Sequence, residues 1–235
     1  YPGITIRMLA IRATKIFVAF DDAKRWLKRT DHVTLIGTPT REILGTVSQS
    51  ASREFFQIDP KKKTLLVFGG SLGAASINNA VLEALDDLLN AGIQLIWQTG
   101  QTDFTRVRAA IGNKSVGWLG AFIDRMEYAF GAADLVVCRA GATTLAELTQ
   151  VGKPSIIIPY PHAAGDHQTH NARSLSEAGA AVMIADHDAR RELKTTVLAL
   201  MSDPRRLKTM RGMSSQLGKP DAGRAIAATI LEMIR

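Results

Sequence analysis

The chain has 235 residues, of which 46% are apolar and only one is a cysteine. This composition excludes collagen-like and largely disordered chains, and a single cysteine excludes a disulfide framework or a cysteine-based zinc cluster. The 29 lysines and arginines outnumber the 22 acidic residues, which gives a formal charge of +7. This charge favours an anionic partner: a phosphorylated small molecule, an anionic membrane surface or nucleic acid.

Nucleic acid is the weakest of these partners, and we expect none. The basic residues are scattered apart from Lys61–Lys63 and Arg205-Arg206, and aromatic residues make up only 6% of the chain. With basic residues so scattered and aromatic residues so few, the sequence shows neither a stacking platform for bases nor a recognition helix. The chain has no apolar run of the roughly 18 residues that a membrane-spanning helix requires. Its first residues contain neither an initiator Met nor a signal-peptide cleavage site, and they resemble the middle of a longer chain.

The first part of the chain predicts few elements. The pattern indicates a helix near 4–11, a strand over 15–20, a helix near 21–28 and a strand over 33–36. Because these elements are too few for an independent domain, we predict that residues 1–45 are the end of a preceding α/β domain. The polar stretch 46–62 is then the interdomain linker.

The rest of the chain predicts a Rossmann-like domain over 63–220. Short apolar runs alternate with helical patterns, and the runs lie at 64–68, 93–97, 116–119, 134–138, 155–159 and 181–184. Strands without alternating polarity, separated by helices, indicate a parallel sheet covered on both faces. We therefore predict a doubly wound α/β fold, in which ligands bind beyond the carboxyl ends of the strands.

The segment Gly69–Ala74, with the sequence GGSLGA, follows the first of these strands and precedes a helix. Glycines let the backbone turn tightly and approach a ligand, and the amides of a helix N-terminus attract an anion. We predict that Ser71, flanked by Gly70 and Gly73, binds a phosphate. The spacing matches neither a Walker A loop nor a dinucleotide motif, so an ordinary tight turn is the alternative.

A similar turn follows the strand at 134–138. Gly141 frees the backbone there, and Thr143 or Thr144 could cap a helix, with Glu147 closing a capping box. The functional interpretation places Glu147 in the ligand crevice instead. A carboxylate at that point could accept two hydrogen bonds from a ribose diol.

The loop 160–171 contains three histidines and Asp166. A metal site is one interpretation, but the spacing does not match known zinc motifs, and we expect no metal. A polar loop that leads into a helix suits a hydroxyl-rich ligand. Gln168 and Asn171 provide both donors and acceptors for it.

Taken together, these segments are similar to a known family. GGSLGA, GAFIDRM, CRAGATTLAEL, GKPSIIIPYP and DHQTHNA occur in this order and resemble the C-terminal half of the MurG family of glycosyltransferases, which have the GT-B fold. YPGIT and GTPTR, within residues 1–41, resemble the end of that family's acceptor domain. The resemblance covers nearly the whole chain.

The resemblance implies a function. The family transfers N-acetylglucosamine from UDP-N-acetylglucosamine to lipid I, which gives lipid II in peptidoglycan synthesis. The transfer inverts the anomeric centre without a metal or other cofactor, and it takes place at the cytoplasmic face of the bacterial membrane. The resemblance also implies that a helix over 221–235 packs back on the first domain.

The resemblance assigns roles to individual residues. Arg41 would lie near the diphosphate, Ile123 at the uracil, Glu147 on the ribose and Gln168 at the sugar. The residues expected to contact the donor are Arg41, Ser71, Ile123, Ala142, Thr143, Thr144, Leu145, Ala146, Glu147 and Gln168. Those expected beside them are Gly70, Gly73, His167 and Asn171.

The family's N-terminal glycine-rich loop and its HEQN-like segment have no counterpart in this chain. Inverting transfer needs a general base, which we expect in those parts, so the sequence assigns no catalytic residue. The chain alone is expected to bind donor but to transfer poorly. Two alternatives are a non-catalytic nucleotide-sugar-binding subunit that needs a partner chain and a related GT-B enzyme with a glycolipid acceptor.

Overall fold

The computed structural model describes residues 2–19 and 21–234. The predicted domain start at Tyr1, the strand end at Phe20 and the helix end at Arg235 lie outside the described residues. The first part contains the helix α1 (Ile4–Leu9), the strand β1 (Ile16–Val18), a 3-10 helix (Asp21–Trp26) and the strand β2 (Val33–Leu35). β1 and β2 pair in parallel and form a small sheet of their own.

The main sheet confirms the predicted doubly wound fold. Its six strands are all parallel: β3 (Lys63–Phe68), β4 (Ile93–Gln98), β5 (Gly117–Gly120), β6 (Leu135–Cys138), β7 (Ser155–Ile157) and β8 (Ala181–Met183). Their order is β5-β4-β3-β6-β7-β8. The chain runs outward from β3 to β5 and then returns to β6 beside β3. The point where strand order reverses therefore lies between β3 and β6, and ligands bind at such a point in open α/β sheets.

The described residues contain ten α-helices, and the nine after α1 lie on the sheet and its flanks. After α1 they are α2 (Gln49–Phe55), α3 (Ala75–Asn90), α4 (Phe104–Ile111), α5 (Met126–Ala132), α6 (Ala142–Gln150), α7 (His167–Glu177), α8 (Ala189–Ser202), α9 (Pro204–Leu217) and α10 (Ala222–Met233). Sequence reasoning placed no helix at α2, α5, α8 or α9.

Two hydrophobic cores lie on opposite faces of the sheet. In β3, Leu65 and Val67 face the core of α3, α4 and α8, whereas Leu66 and Phe68 face the core of α5, α6 and α7. Successive side chains of a strand point to opposite faces, so a strand covered on both faces is apolar throughout. This explains the unbroken apolar runs of the sequence.

The stretch 46–62, predicted as the linker, contains α2. The Ser48 hydroxyl accepts a hydrogen bond from the Ala51 amide and caps this helix. Phe56 and Ile58, which follow the helix, are buried in the core of α5 and α6. The second half of this stretch is therefore attached to the main sheet, while the domain limits themselves remain a prediction.

The last helix, α10, lies beside the segment that follows β2. The Arg224 guanidinium donates a hydrogen bond to the Glu42 carboxylate at 3.1 Å. Much of the apolar face of α10, including Ile230 and Met233, is exposed. Its packing on a first domain remains a prediction. Over the described ranges, the structure has no helix with both the length and the apolar character needed to cross a bilayer.

Candidate nucleotide-sugar site

The GGSLGA turn lies directly against the end of β4. Gly73 has φ of +85° and Gly100 has φ of +80°, and their backbones touch. A Cβ atom on Gly73 would clash with the Thr99 carbonyl oxygen, and a Cβ atom on Gly100 would clash with the Gly73 amide. Only glycine combines this conformation with so close an approach. The glycines thus hold the turn's amides at the carboxyl edge of the sheet.

Gln98, the last residue of β4, joins this turn to the loop after β5. Its buried side chain donates a hydrogen bond to the Gly70 carbonyl and accepts one from the Ile123 amide, both at 2.9 Å. The Ile123 side chain lies in the core of α5 and α6. The predicted contact of Ile123 with a uracil remains a prediction.

The helix α6 begins at Ala142. Its N-cap is Gly141, so no side chain caps the helix. Thr143, Thr144 and Glu147 are therefore the second, third and sixth residues of the helix. The capping-box interpretation is wrong, because a capping Ser or Thr must precede the helix and its Glu must lie at the third position. The first amides of α6 are consequently open to a ligand at the strand-order reversal.

Glu147 pairs with Arg41 across 106 positions of the sequence. The Arg41 Nη2 atom lies 3.2 Å from Glu147 Oε1. The carboxylate side chain is only 12% exposed, and the arginine is 49% exposed. Burial raises the pKa of Glu127, but the hydrogen bond and charge of Arg125, with a smaller contribution from the charge of Arg41, hold that pKa below its ordinary value.

A cleft of about 600 Å³ lies between the turns that follow β3, β6 and β7. It brings together five of the predicted residues: Gly70, Ser71, Gly73, Thr144 and Gln168. Ala142, His167 and Asn171 instead line a smaller neighbouring pocket with residues of α1 and β1. Leu145 is buried in the core, and Ala146 lines a third pocket beside the segment after β2.

Gln168 is fixed by the backbone around it. Its Oε1 atom accepts hydrogen bonds from the Ala140 amide at 3.2 Å and the Tyr160 amide at 3.0 Å. The carbonyl end of the side chain is therefore used within the protein. What Gln168 offers to a ligand in the cleft is its amide N–H donors.

A hydrogen-bond network around Arg139, at the base of the cleft, was not predicted from the sequence. The Arg139 guanidinium donates to the Asp186 carboxylate, to the Ser76 hydroxyl at 2.8 Å, and to the Ile158 and Pro159 carbonyls at 3.1 and 3.0 Å. Ser76 in turn donates to Asp186 at 2.6 Å. The network ties the ends of β6 and β7 to the start of α3. No short-range pattern predicts it, because Ser76 and Asp186 are 110 positions apart.

The histidine-containing loop does not form a metal cluster. Among residues 2–19 and 21–234, no group of three or more His, Cys, Asp or Glu side chains could hold a metal ion. His167 Nδ1 lies 2.8 Å from the Ala164 carbonyl oxygen. The expectation that the chemistry needs no metal or cofactor remains a prediction.

The chain matches known proteins over most of its length. A model of the glycosyltransferase family 28 C-terminal domain matches residues 64–226. A UDP-N-acetylglucosamine--N-acetylmuramyl-(pentapeptide) pyrophosphoryl-undecaprenol N-acetylglucosamine transferase of Chlorobium luteolum is 47% identical over 99% of this chain and 64% of its own length. The Parabacteroides distasonis protein with the same name is 39% identical and is covered over 64% of its length.

Solved structures agree with this assignment. The MurG crystal structure from Acinetobacter baumannii is 26% identical, with a TM-score of 0.70 over 93% of this chain and 65% of that one. A 15% identical 2-epimerase from Listeria monocytogenes, with a TM-score of 0.74, shares the fold. The chain spans about 64% of the curated relatives it matches. The predicted resemblance to MurG is confirmed, and the chain belongs to glycosyltransferase family 28, whose C-terminal domain it contains.

Proposed function

We propose that this chain binds UDP-N-acetylglucosamine and supplies the donor half of an inverting transferase that converts lipid I to lipid II in peptidoglycan synthesis. The observation that carries the proposal is the cleft at the strand-order reversal. There the glycine turn, the uncapped start of α6 and Gln168 meet. The names of the 39–47% identical relatives support the same donor and acceptor.

The diphosphate of the donor lies at the GGSLGA turn in this proposal. Backbone amides of the turn and the N-terminus of the 16-residue helix α3 face negative charge there. Ser71 adds a hydroxyl, and Arg41 adds a guanidinium that can form charge-assisted hydrogen bonds with phosphate oxygens. As UDP leaves, these fixed groups stabilise the charge that develops on it.

The nucleoside and the sugar occupy the two sides of the diphosphate. Glu147 accepts hydrogen bonds from the two ribose hydroxyls, and residues 142–146 surround the nucleotide. The loop that contains Ile123 contacts the uracil, and the Gln168 amide donates to a sugar hydroxyl. Arg41 then exchanges part of its hydrogen bonding with Glu147 for the diphosphate, whose charge is larger.

The acceptor side of the proposal comes from the family. Lipid I is held in a membrane, so the whole protein works as a peripheral enzyme at the cytoplasmic face. A formal charge of +7 favours contact with anionic lipid. We propose that the reaction needs no metal, because Arg41 and the helix N-termini can stabilise the leaving diphosphate. The general base is left unassigned.

Calorimetric titration of this chain with UDP-N-acetylglucosamine, UDP and uridine, each with Mg²⁺ and with EDTA, tests the proposal. We expect saturable binding of both diphosphates, unchanged by EDTA and much weaker for uridine. Absence of diphosphate binding would contradict a donor site in this chain. Binding that disappears in EDTA would contradict the metal-independent mechanism. Binding without transfer when lipid I is added is expected of the donor half alone and of the subunit alternative, so transfer is tested with the whole protein.

A further inference from the structure

We propose that Gln150 is a positioning residue for Arg41, holding the Arg41 main chain against α6 so that its guanidinium is ready for a diphosphate. The inference rests on the proposed function for its effect on the ligand. Nothing in the sequence pattern singles out Gln150. It becomes visible only because the structure brings the segment after β2 onto the end of α6.

Gln150 is the last residue of α6 and contacts three residues that are more than 100 positions away. Its Nε2 atom donates to the Arg41 carbonyl at 3.2 Å and to the Leu44 carbonyl at 3.4 Å. Its Oε1 atom accepts a hydrogen bond from the Thr40 hydroxyl. One side chain thus fixes the main chain of residues 40–44 to the helix.

This attachment determines where the Arg41 side chain can reach. Gln150 lies three positions after Glu147, so both side chains project from the same face of α6. The Leu44 amide donates to the Arg41 carbonyl at 3.2 Å, and the Leu44 side chain is buried. With its carbonyl held from two sides, Arg41 places Nη2 at 3.2 Å from the Glu147 carboxylate.

The attachment matters because Arg41 itself is half exposed. An exposed arginine loses main-chain and side-chain entropy when it binds a ligand. Because Gln150 already holds the Arg41 main chain in the free protein, the main-chain entropy is lost on folding and not when the ligand binds. Because the guanidinium is proposed to contact the diphosphate and not the nucleoside, loss of Gln150 should weaken UDP binding far more than uridine binding.

The first arm of the test measures binding to Gln150→Leu, Arg41→Ala and the double variant. We expect Gln150→Leu to weaken UDP by about tenfold, the scale of a lost charge-assisted contact, with uridine changed less than about twofold. The double variant should bind UDP no more than about twofold more weakly than Arg41→Ala alone, because coupled residues are not additive. Equal losses for UDP and uridine, or additive losses, would overturn the inference.

The matched control is Gln49→Leu. Gln49 also makes a long-range hydrogen bond, to Asp134 at 3.1 Å, but at the opposite end of the sheet. Its loss should leave the ratio of UDP to uridine affinity unchanged. Thr40→Val removes one of the three contacts without altering α6. It should cause a smaller loss than Gln150→Leu with the same selectivity for the diphosphate.

The second arm needs no ligand and separates this inference from the proposed function. Hydrogen exchange over residues 40–46 of the free chain should be severalfold faster in Gln150→Leu and unchanged in Gln49→Leu. Faster exchange in a chain that binds no UDP would support the attachment and contradict the proposed function. Unchanged exchange in a chain that binds UDP normally would overturn the role of Gln150 and leave the proposed function standing.

Discussion

Two carboxylates flank β6, one at each end of the strand. Asp134 precedes β6, and Glu147 lies in the helix that follows it. Asp134 accepts hydrogen bonds from the Thr64 backbone amide and the Arg53 guanidinium, both at 2.8 Å. It accepts a third from the Gln49 side-chain amide at 3.1 Å. Within the described residues, Glu147 accepts one, from Arg41 at 3.2 Å. Burial does not distinguish the two carboxylates, since the side chains of Asp134 and Glu147 are 21% and 12% exposed.

The difference between them is how much acceptor capacity the protein itself uses. A carboxylate has about four lone-pair positions, and buried polar groups in native proteins are normally satisfied. The bonds to Asp134 join α2 to the sheet and the start of β6 to β3, so Asp134 serves the fold. Glu147 does not line the cleft itself, but it lies three positions after Thr144, which does. Its unused acceptor capacity suits it to a ligand. The ion pair of Glu147 with Arg41 therefore has a different role from the ion pair of Asp134 with Arg53.

The largest effect should follow Asp134→Ala. Removing this carboxylate leaves the Arg53 guanidinium and the Thr64 amide without their partner in a mostly buried place. We expect the free energy of unfolding to fall by about 3 kcal/mol, the scale of a broken buried pair. Urea denaturation followed by circular dichroism measures the loss. UDP affinity of the folded protein should be unchanged, and a loss of affinity without a loss of stability would reverse our comparison.

Glu147→Ala should show the opposite pattern. We expect UDP binding to weaken by about 2 kcal/mol, because hydrogen bonds to a charged group contribute about 1.5 to 3 kcal/mol. The free energy of unfolding should change by less than about 1 kcal/mol, since its partner Arg41 is half exposed. Calorimetry on UDP and denaturation in urea measure the two quantities. Unchanged UDP affinity would mean that Glu147 serves only the pairing with Arg41.

Arg41→Ala divides the proposed site into its diphosphate and nucleoside parts. We expect UDP binding to weaken by about 1.5 kcal/mol, the lower end for a charge-assisted contact, and uridine binding to change much less. Arg41→Lys keeps the charge but loses the planar fork, so it should recover part of the affinity. Equal losses for UDP and uridine would remove Arg41 from the diphosphate.

Short-range sequence patterns predict a large part of the fold and some of the site. The doubly wound sheet and the GGSLGA turn could be predicted because apolar runs and glycine spacing are short-range patterns. The placing of Ser71, Thr144 and Gln168 in one cleft followed from the rule that parallel strands end at one edge. These predictions needed only the strand order along the chain.

What could not be predicted depends on contacts between distant parts of the chain. Thr143 and Thr144 suggested a helix cap, but α6 begins at Ala142, before both of them. The ion pair between Arg41 and Glu147 and the contacts of Gln150 join residues more than 100 positions apart. Helix α2 was hidden in a polar stretch because much of its surface faces solvent.

The smallest effect concerns Lys153, which belongs to the amino edge with Asp134. Its ammonium group donates to the Ala133 carbonyl at 2.7 Å. Burial, assisted by the charge of Arg211, lowers its pKa from 10.5 to about 8. Between these two values the unfolded chain binds more protons than the folded chain, so this group makes stability rise with pH in that window.

Lys153→Met should remove this rise. We expect Lys153 to contribute about 1 kcal/mol of added unfolding free energy between pH 8 and pH 9. Burial raises the pKa of the Cys138 thiol, which makes stability fall over the same range, so neither slope alone is diagnostic. The difference between the two proteins isolates Lys153, because both contain Cys138. Parallel pH profiles in urea denaturation would show that Lys153 stays charged at this edge of the sheet.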